Sequence, residues 1–293
     1  MSSQTVTVAL KALRTKRKRS HEVFAKLCAA VLVLYVAVAV IGPLLITFDP
    51  MAADLENRLL PPGAETSQGT VAVFGTDQLG QDILAQVIVG ARTSLIVSLL
   101  AVLLAMVIGT LVGILSGYIG GKIDSILMRI VDMQMAFPTI LLAILVAGVL
   151  GQSVLNVVIA LAIANWIVYA RVLRSQVLTI KGREFVEATR AIGAGHWHIL
   201  RRCIAPGCAS PILVIATVDI GSMILAEASL SFLGLGVPAG TVSWGRTIFN
   251  GQSYLDSAWW ISAIPGLALT VVVVALGFVG DYLRDRTDPR AVK

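Results

Sequence analysis

EATRAIGAGHWHILRRCIAP, residues 187–206, is a polar stretch between two strongly apolar segments of the chain. Each helix that it could form is much shorter than the roughly 20 apolar residues needed to cross a hydrocarbon core of about 30 Å. The stretch therefore predicts a helix–turn–helix that lies at a membrane surface, where a partner outside the membrane can reach it.

Glycine and proline predict where these two short helices end. The first helix carries less polar residues at helical spacing, at Phe185, Ala188, Thr189 and Ile192. Gly193 and Gly195 should end it, because glycine is a frequent helix C-cap and destabilises a helix interior. The second helix should run from Trp197 to Ile204 and end at Pro206, whose ring cannot continue the hydrogen-bond ladder.

The composition indicates an integral membrane protein. Of 293 residues, 57% are hydrophobic and only 14% are charged, which is far from a typical soluble domain. The net charge of +6 could suggest nucleic acid, but the basic residues flank apolar segments, as in a polytopic membrane protein. Cys28, Cys203 and Cys208 lie in or near these segments without C-x-x-C spacing, so they do not indicate a redox compartment.

Six apolar segments divide the chain into an expected order of parts. We expect a basic tail at 1–26, a first span at 27–48, an extracytoplasmic segment at 49–92, a core at 93–281 and a second tail at 282–293. The core should contain five spans, around 94–116, 126–150, 156–169, 208–233 and 260–280. Pro138 predicts a kink in the third span.

The basic residues predict the orientation of these spans. With both termini in the cytoplasm, 20 of the 23 Lys and Arg residues lie on the cytoplasmic side, and only Arg58, Arg92 and Arg246 lie outside. The opposite orientation would reverse this ratio and violate the positive-inside rule. Residues 181–206 are therefore predicted to be cytoplasmic.

The second span carries Gly109, Gly113 and Gly117 on one face. In lipid, small residues four positions apart allow two helix backbones to approach closely. We therefore expect this face to pack against another helix.

Within 187–206, the pattern E-A-x-x-x-x-G starts at Glu187 and is followed, after twelve further residues, by Pro206. It resembles the EAA motif of membrane subunits of bacterial ABC importers. Thr189 replaces an alanine that is usual there, and Ala205 replaces a common leucine. The residues that this resemblance implies in coupling to a cytoplasmic ATPase are Glu187, Ala188, Arg190, Gly193 and Pro206. The alternative is an ordinary amphipathic loop between two spans.

Three other stretches resemble the C-type permease subunit of peptide and nickel ABC importers. They are FGTDQLGQDILAQVIVGARTSL at 74–95, EASLSFLGLGVPAGTVSWGRTIFNGQ at 227–252 and GDYLRDRTDPR at 280–290. Gln81 stands where arginine is common in that subfamily. The resemblance implies an all-α, six-span permease fold. It also implies a homologous second permease subunit, two ATP-binding subunits and an extracytoplasmic substrate-binding protein as partners.

The chain lacks the residues for its own ATP hydrolysis. It contains no G-x-x-x-x-G-K-[ST] loop, and Gly121-Lys122 is followed by Ile123. We therefore predict a transport subunit without catalytic residues or cofactor, whose ATPase activity lies in partner subunits.

A metal site could be assembled from His196, His198 and Cys203. Arg201 and Arg202 lie beside them, and their charges oppose a divalent cation. We therefore predict no metal site.

Asp219 and Glu227 are acidic residues within the fifth span, where charged groups are costly and usually face a partner or a wet cavity. They lie about 12 Å apart along the helix and about 80° apart around it. Either residue could contact the amino group of a transported peptide, or form an interhelical hydrogen bond.

Di- or oligopeptides are the expected cargo, and nickel is the alternative. An ion-driven secondary transporter would also explain the intramembrane acids, but it would not need a cytoplasmic docking loop.

Overall fold

The computed structural model of the chain describes the backbone of residues 3–46 and 50–287 and the side chains of residues 22–46 and 50–285. Within these residues, ten α-helices and one short hairpin follow in the order α1 (Ser3–Leu45), β1 (Ala64–Glu65), β2 (Val71–Ala72), α2 (Ile83–Ile119), α3 (Gly121–Met135), α4 (Thr139–Leu150), α5 (Val154–Lys181), α6 (Glu184–Ala191), α7 (His196–His198), α8 (Ala205–Phe232), α9 (Trp244–Gly251) and α10 (Trp260–Thr287). A π-helical turn, Ile199–Ile204, joins α7 to α8.

Five helical segments are long and apolar enough to cross a membrane, and α3 with α4 forms a sixth if the bent pair counts as one span. The five are Glu22–Leu45, Ile83–Ile119, Val154–Lys181, His196–Phe232 and Trp260–Asp285. The all-α, six-span expectation is confirmed in this sense.

The break between α3 and α4 is sharper than the kink expected at Pro138. The two helix axes differ by 92°, and Pro138 itself is extended, with φ −56° and ψ 128°. Proline has no N–H to donate and its ring strikes the preceding turn. The residue before it also avoids helical geometry. Together these effects separate the helices.

The most extensive helix packing joins α2 to α5. A Cβ atom added at Gly109 would lie 2.3 Å from the carbonyl oxygen of Trp166, and one at Gly113 would lie 2.6 Å from that of Ala170. At Gly117 the added atom would lie 2.9 Å from the Cβ of Val177. The predicted close approach along this glycine face is confirmed.

The segment between α1 and α2 is held by buried polar contacts. Asp77 accepts hydrogen bonds from the backbone N–H groups of Leu79 and Gln81 and, at 2.7 Å, from the side-chain amide of Gln86. Burial nevertheless raises the pKa of its carboxyl above the ordinary range. The indole of Trp260 donates to the carbonyl of Thr76 at 3.1 Å. These bonds fix the segment to the start of α2 and to α10.

Substitution of Gly113 by alanine should destabilise the protein by about 1–3 kcal/mol, because its methyl group would overlap the backbone of α5. Gly148→Ala is the matched control, since no heavy atom lies within 4 Å of a Cβ added at that helical glycine. Thermal unfolding in detergent would measure both effects. Equal midpoints for the two variants would contradict the tight α2–α5 packing.

Candidate coupling loop and translocation-path residues

The first short helix of the loop, α6, ends at the predicted glycine. The N–H of Gly193 donates to the carbonyl of Arg190 at 3.0 Å, and the N–H of Ala194 donates to that of Thr189 at 3.2 Å. This pair of bonds forms a Schellman motif, which requires a left-handed residue after the helix. Gly193 has φ 89°, so the prediction that it ends the helix is confirmed.

The prediction that Pro206 ends the second short helix is wrong. Helical structure continues from His196 through Phe232, and Pro206 occupies the first turn of α8. The N–H of Ala205 donates to Leu200, five residues earlier, in the wide geometry of the π-helical turn. Proline is tolerated in a first turn because its missing N–H is not needed there. The loop is therefore continuous with the fifth span.

A small hydrophobic cluster fixes the loop to the spans. Val186 of α6 and Ile199 and Ile204 of the π-helical turn are almost completely buried. They pack with residues near the carboxyl end of α5 and the start of α8, namely Leu173, Val177, Ile180 and Cys208. The loop is therefore packed against both helices.

The five residues implied in coupling all lie exposed on the described surface of the loop: Glu187, Ala188, Arg190, Gly193 and Pro206. Large apolar side chains are exposed beside them, with 48% of Phe185, 85% of Ile192 and 74% of Trp197 accessible. We call Phe185, Glu187, Arg190, Ile192 and Trp197 the coupling surface. Exposed apolar side chains among charged ones are typical of a protein-interaction site.

Asp219 lies on α8 with one partner already in place. The hydroxyl of Tyr169, on α5, donates to its Oδ2 atom at 2.9 Å. Tyr169 is fully buried, whereas Asp219 remains partly exposed. The carboxylate is thus oriented by one hydrogen bond and keeps acceptor positions for another group.

Glu227, two turns further along α8, is in a different environment. Its side chain is completely buried, and its two carboxylate oxygens accept hydrogen bonds from Ser94 of α2 at 3.0 Å and from Ser231 at 2.7 Å. Ser243, before α9, lies 3.5 Å from the Ser231 hydroxyl. Of the two roles open for Glu227, this geometry favours the interhelical hydrogen bond.

Several partners of these residues were missed by sequence reasoning. Tyr169 and Ser94 lie 50 and 133 residues from the acids that they contact. A tyrosine in an apolar span needs a partner for its hydroxyl, which is a usable signal, but the signal does not identify the partner. Sequence reasoning also missed the bidentate ion pair in which Arg174 Nε and Nη2 donate to the carboxylate of Asp124 at 2.6 and 2.7 Å.

Curated relatives match nearly the whole chain. The nickel transport system permease protein NikC of Escherichia coli is 40% identical over 91% of this chain and 94% of its own length. The di/tripeptide transport system permease protein DppC of Pseudomonas aeruginosa is 36% identical over 88% of this chain and 86% of its own. The dipeptide permease DppC of Alkalihalophilus pseudofirmus is 38% identical over 87% and 82%.

Solved structures of ABC importers share the fold. The MetNI methionine ABC transporter, in inward-facing conformations, matches 70% of this chain with a TM-score of 0.58 and 20% identity, and the match covers 98% of that chain. An amino acid ABC transporter matches 69% of this chain and 94% of its own, with a TM-score of 0.54 and 18% identity. These likenesses establish the permease fold.

Residues 109–293 match the family model of the binding-protein-dependent transport system inner membrane component. This match covers the candidate coupling loop, both acids of α8 and the described helices from the second half of α2 onward. The chain therefore belongs to the family of binding-protein-dependent transport system inner membrane components, as a multi-pass permease of the ABC importer type.

Proposed function

We propose that this chain forms half of the translocation path for di- or oligopeptides in an ATP-driven importer. The exposed coupling surface carries the proposal, because a loop held firmly to two spans yet apolar on its outer side suits a moving protein partner. Two of the relatives described above bear di- or tripeptide names. Nickel is the second candidate cargo, since the nickel permease is equally similar.

The proposed partners are two cytoplasmic ATP-binding subunits, a homologous second permease subunit and an extracytoplasmic substrate-binding protein. One ATP-binding subunit would seat on the coupling surface, where Ile192 and Trp197 offer apolar area and Glu187 and Arg190 offer charge. Apolar anchors surrounded by polar groups account for most of the energy of such interfaces. ATP hydrolysis takes place in those subunits.

The proposed mechanism is alternating access. Closure of the ATP-binding subunits would move the coupling surface, and the hydrophobic cluster beneath it would transmit the movement to α5 and α8. These helices would then reorient the path from inward-facing to outward-facing as packed bodies. The chain changes access and performs no covalent chemistry.

Asp219 is the proposed contact for a cationic group in the path. Its partial exposure and its hydrogen bond from Tyr169 orient a carboxylate toward a group arriving between the helices. A peptide carries an ammonium group that such a carboxylate binds through a charge-assisted hydrogen bond. Glu227 is the second candidate for contact with the cargo, on the ground of its position in the same helix alone. Its complete burial supports a packing role instead.

In the proposed orientation, both termini and residues 181–206 lie in the cytoplasm. The positive-inside rule supports this orientation, because 20 of the 23 Lys and Arg residues then lie on the cytoplasmic side. In a variant without the three native cysteines, Glu65→Cys should react with an impermeant thiol reagent in intact cells. His198→Cys should react only after permeabilisation. Both sites are exposed on the protein. Labelling of residue 198 from outside would contradict the orientation.

Gly193→Asp should uncouple ATP hydrolysis from uptake. Its φ of 89° disfavours any side chain, and the new carboxylate would project from the coupling surface. In proteoliposomes with the full complex, we expect uptake to fall at least about tenfold, the effect of losing about 1.4 kcal/mol of interaction.

Gly240→Asp is the control for this variant. It adds the same charge at an exposed glycine on the opposite side, where no heavy atom lies within 4 Å of an added Cβ. Copurification of the ATP-binding subunits checks assembly of both complexes. Normal uptake by the Gly193→Asp complex would show that the loop is only a connector.

Asp219→Asn should lower uptake at least about tenfold while leaving assembly and basal ATP turnover near wild-type values, because it removes one charge-assisted hydrogen bond worth about 1.5–3 kcal/mol. Glu227→Gln should instead lower the thermal stability of the complex, since a buried hydrogen-bonded pair is disturbed. Accumulation of a labelled dipeptide mixture and of radioactive nickel measures the effect of Asp219→Asn on uptake, and thermal unfolding measures the effect of Glu227→Gln. Unchanged uptake of both solutes by Asp219→Asn would remove this residue from the path.

A further inference from the structure

Tyr118, near the carboxyl end of α2, contacts the coupling loop directly. Its hydroxyl shares a hydrogen bond of 2.9 Å with Nδ1 of His196, the first residue of α7. The two rings also meet edge to face, with centroids 5.8 Å apart and an angle of 84°. The end of the second span is therefore attached to the middle of the loop by both a polar and an aromatic contact.

The same tyrosine is held by the last residue of α5. The ammonium group of Lys181 donates to the carbonyl oxygen of Tyr118 at 2.7 Å and lies 5.6 Å from the centroid of its ring. Such a cation placed over a tyrosine ring is attracted by the ring's negative face. Tyr118 thus joins three segments: the end of α2, the end of α5 and the start of α7.

The helices α2 and α5 are locked together where this contact occurs. Gly117, next to Tyr118, lies so close to α5 that an added Cβ would be 3.0 Å from the carbonyl oxygen of Arg174. The guanidinium of Arg174 forms a bidentate ion pair with Asp124, which also accepts a hydrogen bond from Ser116. Because the two helices cannot slide past each other at this end, a force on Tyr118 moves both.

We propose that Tyr118 is a positioning residue for energy coupling, and that its hydroxyl passes displacement of the loop at His196 to the α2–α5 pair. This inference rests on the proposed role of residues 181–206 as the coupling loop. The loop has a covalent route to the fifth span, because α7 continues into α8. The Tyr118–His196 bond connects the middle of the loop to the second span, whereas the Lys181–Tyr118 bond connects only the first residue of the loop, at the end of α5, to that span.

The hydroxyl and the ring of Tyr118 have separable roles. The ring packs at the edge of the hydrophobic cluster beneath the loop, and the contact with Lys181 uses the backbone carbonyl. Phenylalanine would keep both and would lose only the bond to His196. A residue that only packs would therefore tolerate Tyr118→Phe, whereas a coupling residue would not.

The test uses the complete complex in proteoliposomes, with a labelled dipeptide mixture and radioactive nickel offered in parallel. For the solute that the wild-type complex accumulates, we expect Tyr118→Phe to raise the ATP hydrolysed per solute imported about fivefold, the factor by which one neutral hydrogen bond changes an equilibrium. Assembly and melting temperature should stay at wild-type values. Tyr254→Phe, which removes a hydroxyl on the other side of the protein, is the matched control.

A double-mutant cycle distinguishes a role of the Tyr118–His196 bond in coupling from a role of Tyr118 in packing alone. His196→Ala should raise the same ratio, and the Tyr118→Phe, His196→Ala double variant should add nothing further, because both changes break one bond. A wild-type ratio in Tyr118→Phe, or additive effects in the double variant, would overturn the inference while leaving the proposed function intact. A wild-type complex that accumulates neither solute would contradict the proposed function and this inference with it.

Discussion

The close contact between α2 and α5 is the constraint on which the rest of the structure depends. Three glycines spaced by one turn let the two backbones meet without side chains between them. Lipid does not drive helices together by the hydrophobic effect, so backbone proximity and dispersion contacts must supply the association. With this pair fixed, α8 can pack beside it, and the loop between α5 and α8 is placed at a defined position relative to both.

Local sequence patterns predicted those structural features that depend on neighbouring residues in the chain. The glycine face of α2 and the end of α6 at Gly193 could be predicted because each depends on residues within a few turns. Pro206 misled the prediction, since the π-helical turn before it places the proline in a first turn, where it is tolerated. The sharp bend at Pro138 exceeded the expected kink because the helix stops completely for several residues.

The exposed position of the candidate coupling residues was predictable from the sequence, and the contacts of the two intramembrane acids were not. The candidate coupling residues lie in one continuous stretch, so local sequence is enough to place them together. The partners of Asp219 and Glu227 come from other spans, and periodicity does not show which hydroxyl meets which carboxylate. α6 illustrates both cases: its buried anchor is Val186, while Phe185 and Ile192 face outward. Two of the apolar residues found at helical spacing in the sequence, Phe185 and Ile192, are thus exposed on the protein.

The length of α2 has a further consequence. Its 37 residues make a rod of about 56 Å, almost twice the thickness of the hydrocarbon core. One end of α2 follows the hydrogen-bonded segment around Asp77, and its other end lies at the contact with the loop. Coupling between two binding events is reciprocal. If one partner at the Ile83 end and another at the loop both bind better to one position of α2, each partner must therefore raise the affinity of the other by the same factor.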